Sequence, residues 1–123
     1  MKIVPSEHDE QVAFVEWLEV NGYKFSAIPN ATWTSMSQQM KNKREGVRAG
    51  LPDLLVLVND HLVWIEMKRS DLKPKRGGKG GVSLVQQGWI EALNRCANCQ
   101  VYVCYGYVEA VDTIRSLASL PKV

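Results

Sequence analysis

Two carboxylates lie at matching positions of two predicted neighbouring strands, and this spacing is the feature of the sequence best suited to chemistry. Residues 53–58 and 62–68 are typical of strands around a tight turn at 59–60. If that turn has two residues, Asp53 lies directly opposite Glu66, with their Cβ atoms about 4.5–5.5 Å apart. Like charges in that position destabilise a sheet unless a cation lies between them.

Two further groups belong to the same predicted site. Lys68 is two residues beyond Glu66, so its side chain projects from the same face of the strand. Met67 points to the other face, but its backbone carbonyl can reach the edge of the site. Carboxylates and a carbonyl oxygen are hard ligands that suit Mg²⁺ or Mn²⁺ and do not suit zinc. Two alternatives stay open: a one-residue slip that puts Asp53 opposite Met67, and an exposed ion pair at a strand end.

A first helix adds carboxylates that face inward. It begins at Ser6, and Gly22 follows its last apolar residues as a C-cap. At about 100° per residue, Glu7, Glu10 and Gln11 fall on the side of the apolar stripe. Carboxylates on that side need a metal or a lysine as a partner. The alternative is a solvated first turn whose acids complement the helix dipole.

The remaining pattern is that of an α/β domain with a central mixed sheet flanked by helices. Aliphatic residues fill both faces of the two strands, which indicates a sheet covered on both sides. We expect a single domain over residues 1–123, because neither half could bury a sufficient core alone. The other predicted elements are a strand at 23–28, a polar basic helix or turn at 36–45, a helix at 83–97, a strand at 100–105 and a helix at 109–120.

Composition excludes several classes of protein. With 46% hydrophobic residues, the chain of 123 residues is not disordered, and its longest aliphatic run, 54–58, is too short for a membrane span. No basic and apolar leader opens the sequence, and three cysteines suit a reducing compartment, so we expect a cytoplasmic protein. Cys96 and Cys99 lack a second pair of ligands, so no zinc site is expected.

Several segments resemble a known nuclease family. Gly46-Val-Arg-Ala-Gly-Leu-Pro-Asp53, followed after twelve residues by Glu66-Met-Lys68, resembles the PD-(D/E)XK nuclease signature. More narrowly, it is similar to the VRR-NUC branch in its stand-alone phage and bacterial form. Further matching pieces extend the resemblance over nearly the whole chain, namely 6–11, Pro29-Asn30, Ser83-Leu-Val-Gln86 with Trp89, and 105–106 with 109–110.

The resemblance implies a restriction-endonuclease-like fold of three layers and a metal-dependent phosphodiesterase that uses Mg²⁺ or Mn²⁺. By analogy, Asp53 and Glu66 hold the metal together with the Met67 carbonyl. Lys68 then orients or activates the attacking water.

The resemblance also assigns a ligand on the first helix and a residue on a later one. The helix-one acid of the family maps onto Glu7, with Glu10 as the alternative. Gln86 lines the site by the same analogy. Ser83-x-x-Gln86 is at the same time a capping box, so Gln86 could serve only to begin a helix.

Positive charge is concentrated beside the predicted site, although the net charge is only +2. Such groups bind phosphates, and no recognition helix or zinc finger accompanies them, so we expect recognition of DNA backbone and shape. The alternative is ordinary solvated surface. Glycines within the second group predict a mobile loop at about 73–82. The candidate DNA-binding residues are Lys41, Lys43, Arg44 and Arg48 before the site, and Lys73, Lys75, Arg76 and Lys79 after it.

The first interpretation of the function is a structure-specific DNA endonuclease, namely a Holliday junction resolvase that acts as a homodimer. Paired cuts in a four-way junction need two sites related by symmetry, and this chain supplies one. The alternatives are a monomeric flap- or nick-directed nuclease and a non-catalytic DNA-binding subunit with the same fold. Trp33, in a polar segment, is a candidate for stacking on a base or sealing a dimer contact.

Overall fold

The computed structural model describes residues 3–29, 35–76 and 80–120. Its helices and strands follow the predicted order, and they form the α/β fold expected from the sequence, with a central mixed sheet flanked by helices. The helices are α1 (Glu7–Val20), α2 (Met36–Arg44), α3 (Leu84–Asn94) and α4 (Tyr107–Ala118), and the strands are β1 (Lys24–Ala27), β2 (Leu54–Val58), β3 (His61–Lys68) and β4 (Cys99–Tyr105).

The four strands lie in the order β1-β2-β3-β4. Neighbours are antiparallel except β3 and β4, which are parallel because α3 returns the chain across the sheet. Val58 pairs with His61 and Leu54 with Ile65, so the predicted hairpin register is confirmed. The two turn residues have φ of 48° and 67°, which Asn59 and Asp60 tolerate better than most residues.

The hairpin turn is also fastened to the end of α4. The side-chain amide of Asn59 donates to the carbonyls of Leu117, Ala118 and Leu120 at 3.0–3.1 Å. These contacts fix the turn residue, and with it the register that brings the far ends of β2 and β3 together.

One face of the sheet forms the core with α1 and α4, and the other face receives α3. Phe14 and Leu18 of α1 and Ile114 of α4 are completely buried against alternate residues of the strands. The opposite face is covered only in part, because α3 lies over β4 and reaches the end of β3 through Gln86. Leu57 and Leu62 consequently stay 42% and 43% exposed, so the prediction of two fully covered faces was wrong for the hairpin end.

Two predicted boundaries differ from the structure for local reasons. The third helix ends at Asn94 and not near residue 97, because the side chain of Asn94 turns to accept a hydrogen bond from the Val101 amide at 2.9 Å. The last helix begins at Tyr107 and not at 109, since Gly106 adopts φ of 99° and serves as its N-cap.

The described helices include none that is long and apolar enough to cross a membrane. All three cysteines are free thiols, with Cys96 exposed and the other two buried.

Candidate functional site

Three carboxylates meet where the ends of β2, β3 and α1 come together. They belong to Glu7 in the first turn of α1, Asp53 just before β2 and Glu66 near the end of β3. Each offers an oxygen atom, and these atoms all lie within 4.8 Å of one another. Glu66 is only 2% exposed, whereas the other two are half-buried. The hairpin register and the inward face of α1 together create this cluster.

Asp53 is held against β3 by a backbone hydrogen bond. Its Oδ2 accepts from the amide of Met67 at 2.8 Å. The Met67 side chain points the other way and is fully buried in the core. This contact extends the strand pairing beyond Leu54 and Ile65, so Asp53 faces the end of β3 as the register predicted.

Glu66 has one satisfied and one unsatisfied oxygen. Its Oε2 lies 3.4 Å from Lys68 Nζ and accepts a hydrogen bond from Gln86 Nε2 at 3.2 Å. Its Oε1 is buried and has no hydrogen-bond partner among the residues that the structure describes. A buried acceptor without a donor is costly, which makes this atom a candidate cation ligand.

The electrostatics of the cluster favour protons or a cation. Burial raises the pKa of Glu66 to about 8, and the nearby Asp53 carboxylate adds to the rise while Lys68 opposes it. Burial is also the main cause of the raised pKa values of Asp53 and Glu7. Lys68 brings one positive charge against three carboxylates. An all-oxygen donor set of this kind fits a hard divalent cation such as Mg²⁺ or Mn²⁺.

Gln86 joins α3 to the charged groups. Its Oε1 accepts from Lys68 Nζ at 3.3 Å and from the Ser83 amide at 3.0 Å, while its Nε2 donates to Glu66. The capping box with Ser83 is also complete, because the Ser83 hydroxyl accepts from the Gln86 amide. Gln86 therefore both caps the N-terminus of α3 and contacts the charged groups, so the two interpretations offered by the sequence are compatible.

Gln86→Ala and Ser83→Ala should separate these two roles. Both changes remove the capping box and should cost about 1 kcal/mol of unfolding free energy. Only Gln86→Ala removes the contacts with Glu66 and Lys68, so it alone should slow the DNA cleavage expected from the sequence, by about 10- to 100-fold. Thermal unfolding and single-turnover cleavage of both variants test this. An equal loss of cleavage in the two variants would reduce Gln86 to a helix cap.

Glu10 lies on the same side of α1 as Glu7 but serves a different element. Its Oε2 accepts from the Tyr107 amide at 3.1 Å, at the N-terminus of α4. Gly106, the N-cap of α4, has no side chain, and an added Cβ would collide with the same Glu10 oxygen. The geometry brings Glu7, and not Glu10, to Asp53 and Glu66.

Glu7→Gln and Glu10→Gln should therefore change different properties, namely the cleavage rate in the first variant and the stability in the second. Glu10→Gln should destabilise the fold by about 1 kcal/mol, because it weakens a charged cap at a helix N-terminus, and should leave cleavage within about twofold. Glu7→Gln should slow cleavage by about 10-fold or more without destabilising the fold, since it relieves repulsion in the cluster. Urea unfolding and cleavage rates of both variants measure the difference. The reverse pattern would make Glu10 the functional acid.

The carboxylates line an open cleft of about 1170 Å³. Residues that the sequence did not single out also line it, including His8 of α1 and Val85 of α3. Gln39, Asn42 and Lys43 of α2 and Arg48 of the following loop contribute further lining. Lys43 was expected near the site from its charge, whereas Gln39 and Asn42 have no clear signal in the sequence, because their position depends on where the 45–53 loop directs a polar helix.

The candidate DNA-binding residues have different surroundings. Lys43 and Arg48 line the cleft, whereas Lys41 and Arg44 line a separate depression beside Met40. Lys73 forms an ion pair with Glu109 at 2.8 Å. Lys75 and Arg76 are exposed, and Lys79 lies outside the described residues, as do Asn30 and Trp33.

Comparison with known proteins bears on the family and the fold of the chain. The family model described as "VRR-NUC domain" matches residues 3–107. A solved structure described as "VRR_NUC domain protein" is similar with a TM-score of 0.72 and 23% sequence identity, and the match covers 98% of this chain and 93% of that chain. At this identity the likeness shows a shared fold. The comparison with curated proteins returned no match.

Proposed function

This chain belongs to the VRR-NUC domain family of restriction-endonuclease-like nucleases, and we propose that it is a divalent-metal-dependent endonuclease that hydrolyses phosphodiester bonds in branched DNA. The family implies a nuclease. The observation that carries the finer proposal is the convergence of Glu7, Asp53 and Glu66 on one cleft.

The three carboxylates would hold the metal, with the Met67 carbonyl as a further proposed ligand. The chemistry that a bound divalent cation supplies is polarisation of the phosphate and a lowered pKa of a coordinated water. The residues of the chain hold that arrangement in place. The Met67 amide orients Asp53, and the side chains of Lys68 and Gln86 orient Glu66.

Lys68 is the proposed catalytic residue besides the metal ligands. Its ammonium group lies 3.4 Å from Glu66 Oε2 and its side chain is 9% exposed, so Lys68 is held beside the cluster and not in bulk solvent. A fixed positive charge there stabilises the negative charge that the phosphate gains in its transition state. The same group can orient the attacking water through a hydrogen bond. Gln86 fixes Lys68 by accepting from its Nζ.

The proposed substrate is a four-way junction or a similar branched DNA, and the proposed active form is a homodimer. Two cuts at symmetric positions need two clefts, and a two-fold dimer supplies them. Cations near the cleft support contact with the DNA backbone, which carries affinity without sequence preference. Free thiols at all three cysteines suit a reducing compartment, so we propose a cytoplasmic location.

The test is cleavage of a panel of DNA substrates together with the mass of the protein in solution. We expect Mg²⁺ or Mn²⁺ to be required, four-way junctions to be cut faster than flaps, nicked duplex or linear duplex, and the dimer to be the active species. Preference for flaps by a monomer would replace the junction proposal with a flap-directed nuclease. Binding without cleavage under all metal conditions would indicate a non-catalytic DNA-binding subunit.

A further inference from the structure

The helix α2 is anchored to the rest of the fold differently from the other helices. None of its nine residues is buried, whereas α1, α3 and α4 each contribute buried side chains. Met36 and Met40 are 73% and 61% exposed. An isolated helix of this length is marginal in water. Burial of side chains therefore does not fix the position of α2, and polar contacts contribute more to it than in the other helices.

The C-terminal end of α2 is fixed by a dense set of hydrogen bonds. The Val47 amide donates to the Asn42 carbonyl at 2.9 Å and the Gly46 amide to the Lys43 carbonyl at 3.1 Å. Gly46 has φ of 102°, which completes a Schellman motif. Arg48 Nη1 then donates to the carbonyls of Lys43 and Val47, both at 3.1 Å. A cation there also complements the helix dipole.

The loop that carries Arg48 is itself fixed to α3. Trp89 Nε1 donates to the Ala49 carbonyl at 2.9 Å. Gly50 has φ of 98° and lies so close to α3 that an added Cβ would be 2.5 Å from Val85 Cγ1. Because α3 also holds Glu66 through Gln86, a continuous set of contacts links α2 to the carboxylates.

We propose that Arg48 is a positioning residue that holds α2 as the DNA-binding wall of the cleft, with Lys43 as the group that contacts the phosphate backbone. Both residues line the cleft, but Arg48 already donates to two backbone carbonyls, whereas Lys43 is an exposed residue in the last turn of α2. The inference rests on the proposed nuclease function for the identity of the partner. This positioning role differs from the prediction in the sequence analysis that Arg48 binds DNA phosphates directly.

The first test needs no DNA. Hydrogen exchange of the amides at 40–47 is measured in the free protein for the wild type, Arg48→Met and Arg48→Lys. We expect about tenfold faster exchange in Arg48→Met and an intermediate effect in Arg48→Lys, because lysine keeps the charge but lacks the planar fork. Lys75→Met is the control for lost charge and should leave these amides unchanged. Unchanged exchange in Arg48→Met would overturn the positioning role.

The second test is a double-mutant cycle on DNA affinity in metal-free buffer, with Lys43→Met and Arg48→Met. If Arg48 positions the helix that carries Lys43, the Lys43 change should weaken binding about tenfold in the wild type and less than about twofold in the Arg48→Met background. The control pair Lys43 and Lys75 should be additive. Additive effects of Lys43 and Arg48 would overturn the proposal.

The two tests separate this inference from the proposed function. If the wild-type protein neither binds nor cuts DNA, the nuclease proposal and the role of Lys43 fail, while faster exchange in Arg48→Met would still establish that Arg48 holds α2. If the protein cuts DNA but exchange is unchanged, only the positioning role fails. Because α2 contributes no buried residue, these variants should keep the fold, which circular dichroism verifies.

Discussion

Asp53→Asn is expected to lower the rate of DNA cleavage by at least about a thousandfold, because it removes one of the charges that would hold a divalent cation. The asparagine keeps an oxygen that can accept from the Met67 amide, as Asp53 does at 2.8 Å. The fold should therefore survive. DNA affinity should be unchanged or higher, since a negative charge that repels the phosphate backbone is lost. Single-turnover cleavage and equilibrium binding of a four-way junction measure the two effects separately.

Asp112→Asn is the matched control for Asp53→Asn. Asp112 is an exposed residue of α4 and is not part of the carboxylate cluster. The same chemical change there should leave both cleavage and binding at wild-type values. Cleavage by Asp53→Asn at the wild-type rate would remove Asp53 from the site. Weaker DNA binding that matches the loss of cleavage would indicate a change of structure.

The second large effect is on the stability of the metal-free protein as a function of pH. Burial beside Asp53 raises the pKa of Glu66 from 4.5 to about 8, so the folded protein holds this proton more tightly than the unfolded chain does. The free energy of unfolding should therefore fall as the pH rises from about 5 to about 8, on the order of a few kcal/mol, and level off above that range. Asp53 and Glu7, whose pKa values burial also raises, act in the same direction.

A divalent cation should restore most of the unfolding free energy that is lost as the pH rises. Urea unfolding at several pH values, with and without Mg²⁺ or Mn²⁺, measures it, because a ligand that binds only the folded state raises its stability. Glu66→Gln is the diagnostic variant: it cannot ionise, so the metal-free variant should lose much less stability between about pH 5 and about pH 8 than the wild type does. Asp112→Asn should keep the wild-type slope. Wild-type stability that increases with pH over this range would contradict the raised pKa of Glu66.

The register of the hairpin was predictable because local rules determine it. Asn59 and Asp60 tolerate the left-handed backbone of a two-residue turn, and that turn leaves a single pairing that keeps Leu54 and Val56 on the core side. The position of Asp53 opposite the end of β3 follows from the same register. The approach of Asp53 to Glu66 was therefore predictable from spacing within one hairpin.

Contacts between distant segments were not predictable in the same way. Glu7 and Glu10 share one side of α1, and contacts with distant segments distinguish them: Glu7 lies beside Asp53 and Glu66, whereas Glu10 accepts from the Tyr107 amide. Helical periodicity cannot supply that information, because the two segments are separated by most of the chain. The same holds for Arg48. Its charge predicts contact with a DNA phosphate, but its guanidinium group donates to the carbonyl of Lys43. A long cationic side chain has many partners within reach, and the backbone path of the loop selects among them.

Paramagnetic broadening of amide signals by Mn²⁺ in the free protein tests the proposed metal centre most directly, because it shows where the ion binds. The amides of Met67 and Asp53 should disappear first, because Met67 donates to Asp53 within the cluster. The amides of Asn59 and Asp60, about 20 Å away along β3, should persist, and Asp53→Asn should abolish the selective broadening. Broadening that begins elsewhere on the surface and spares Met67 would contradict a metal centre formed by Glu7, Asp53 and Glu66.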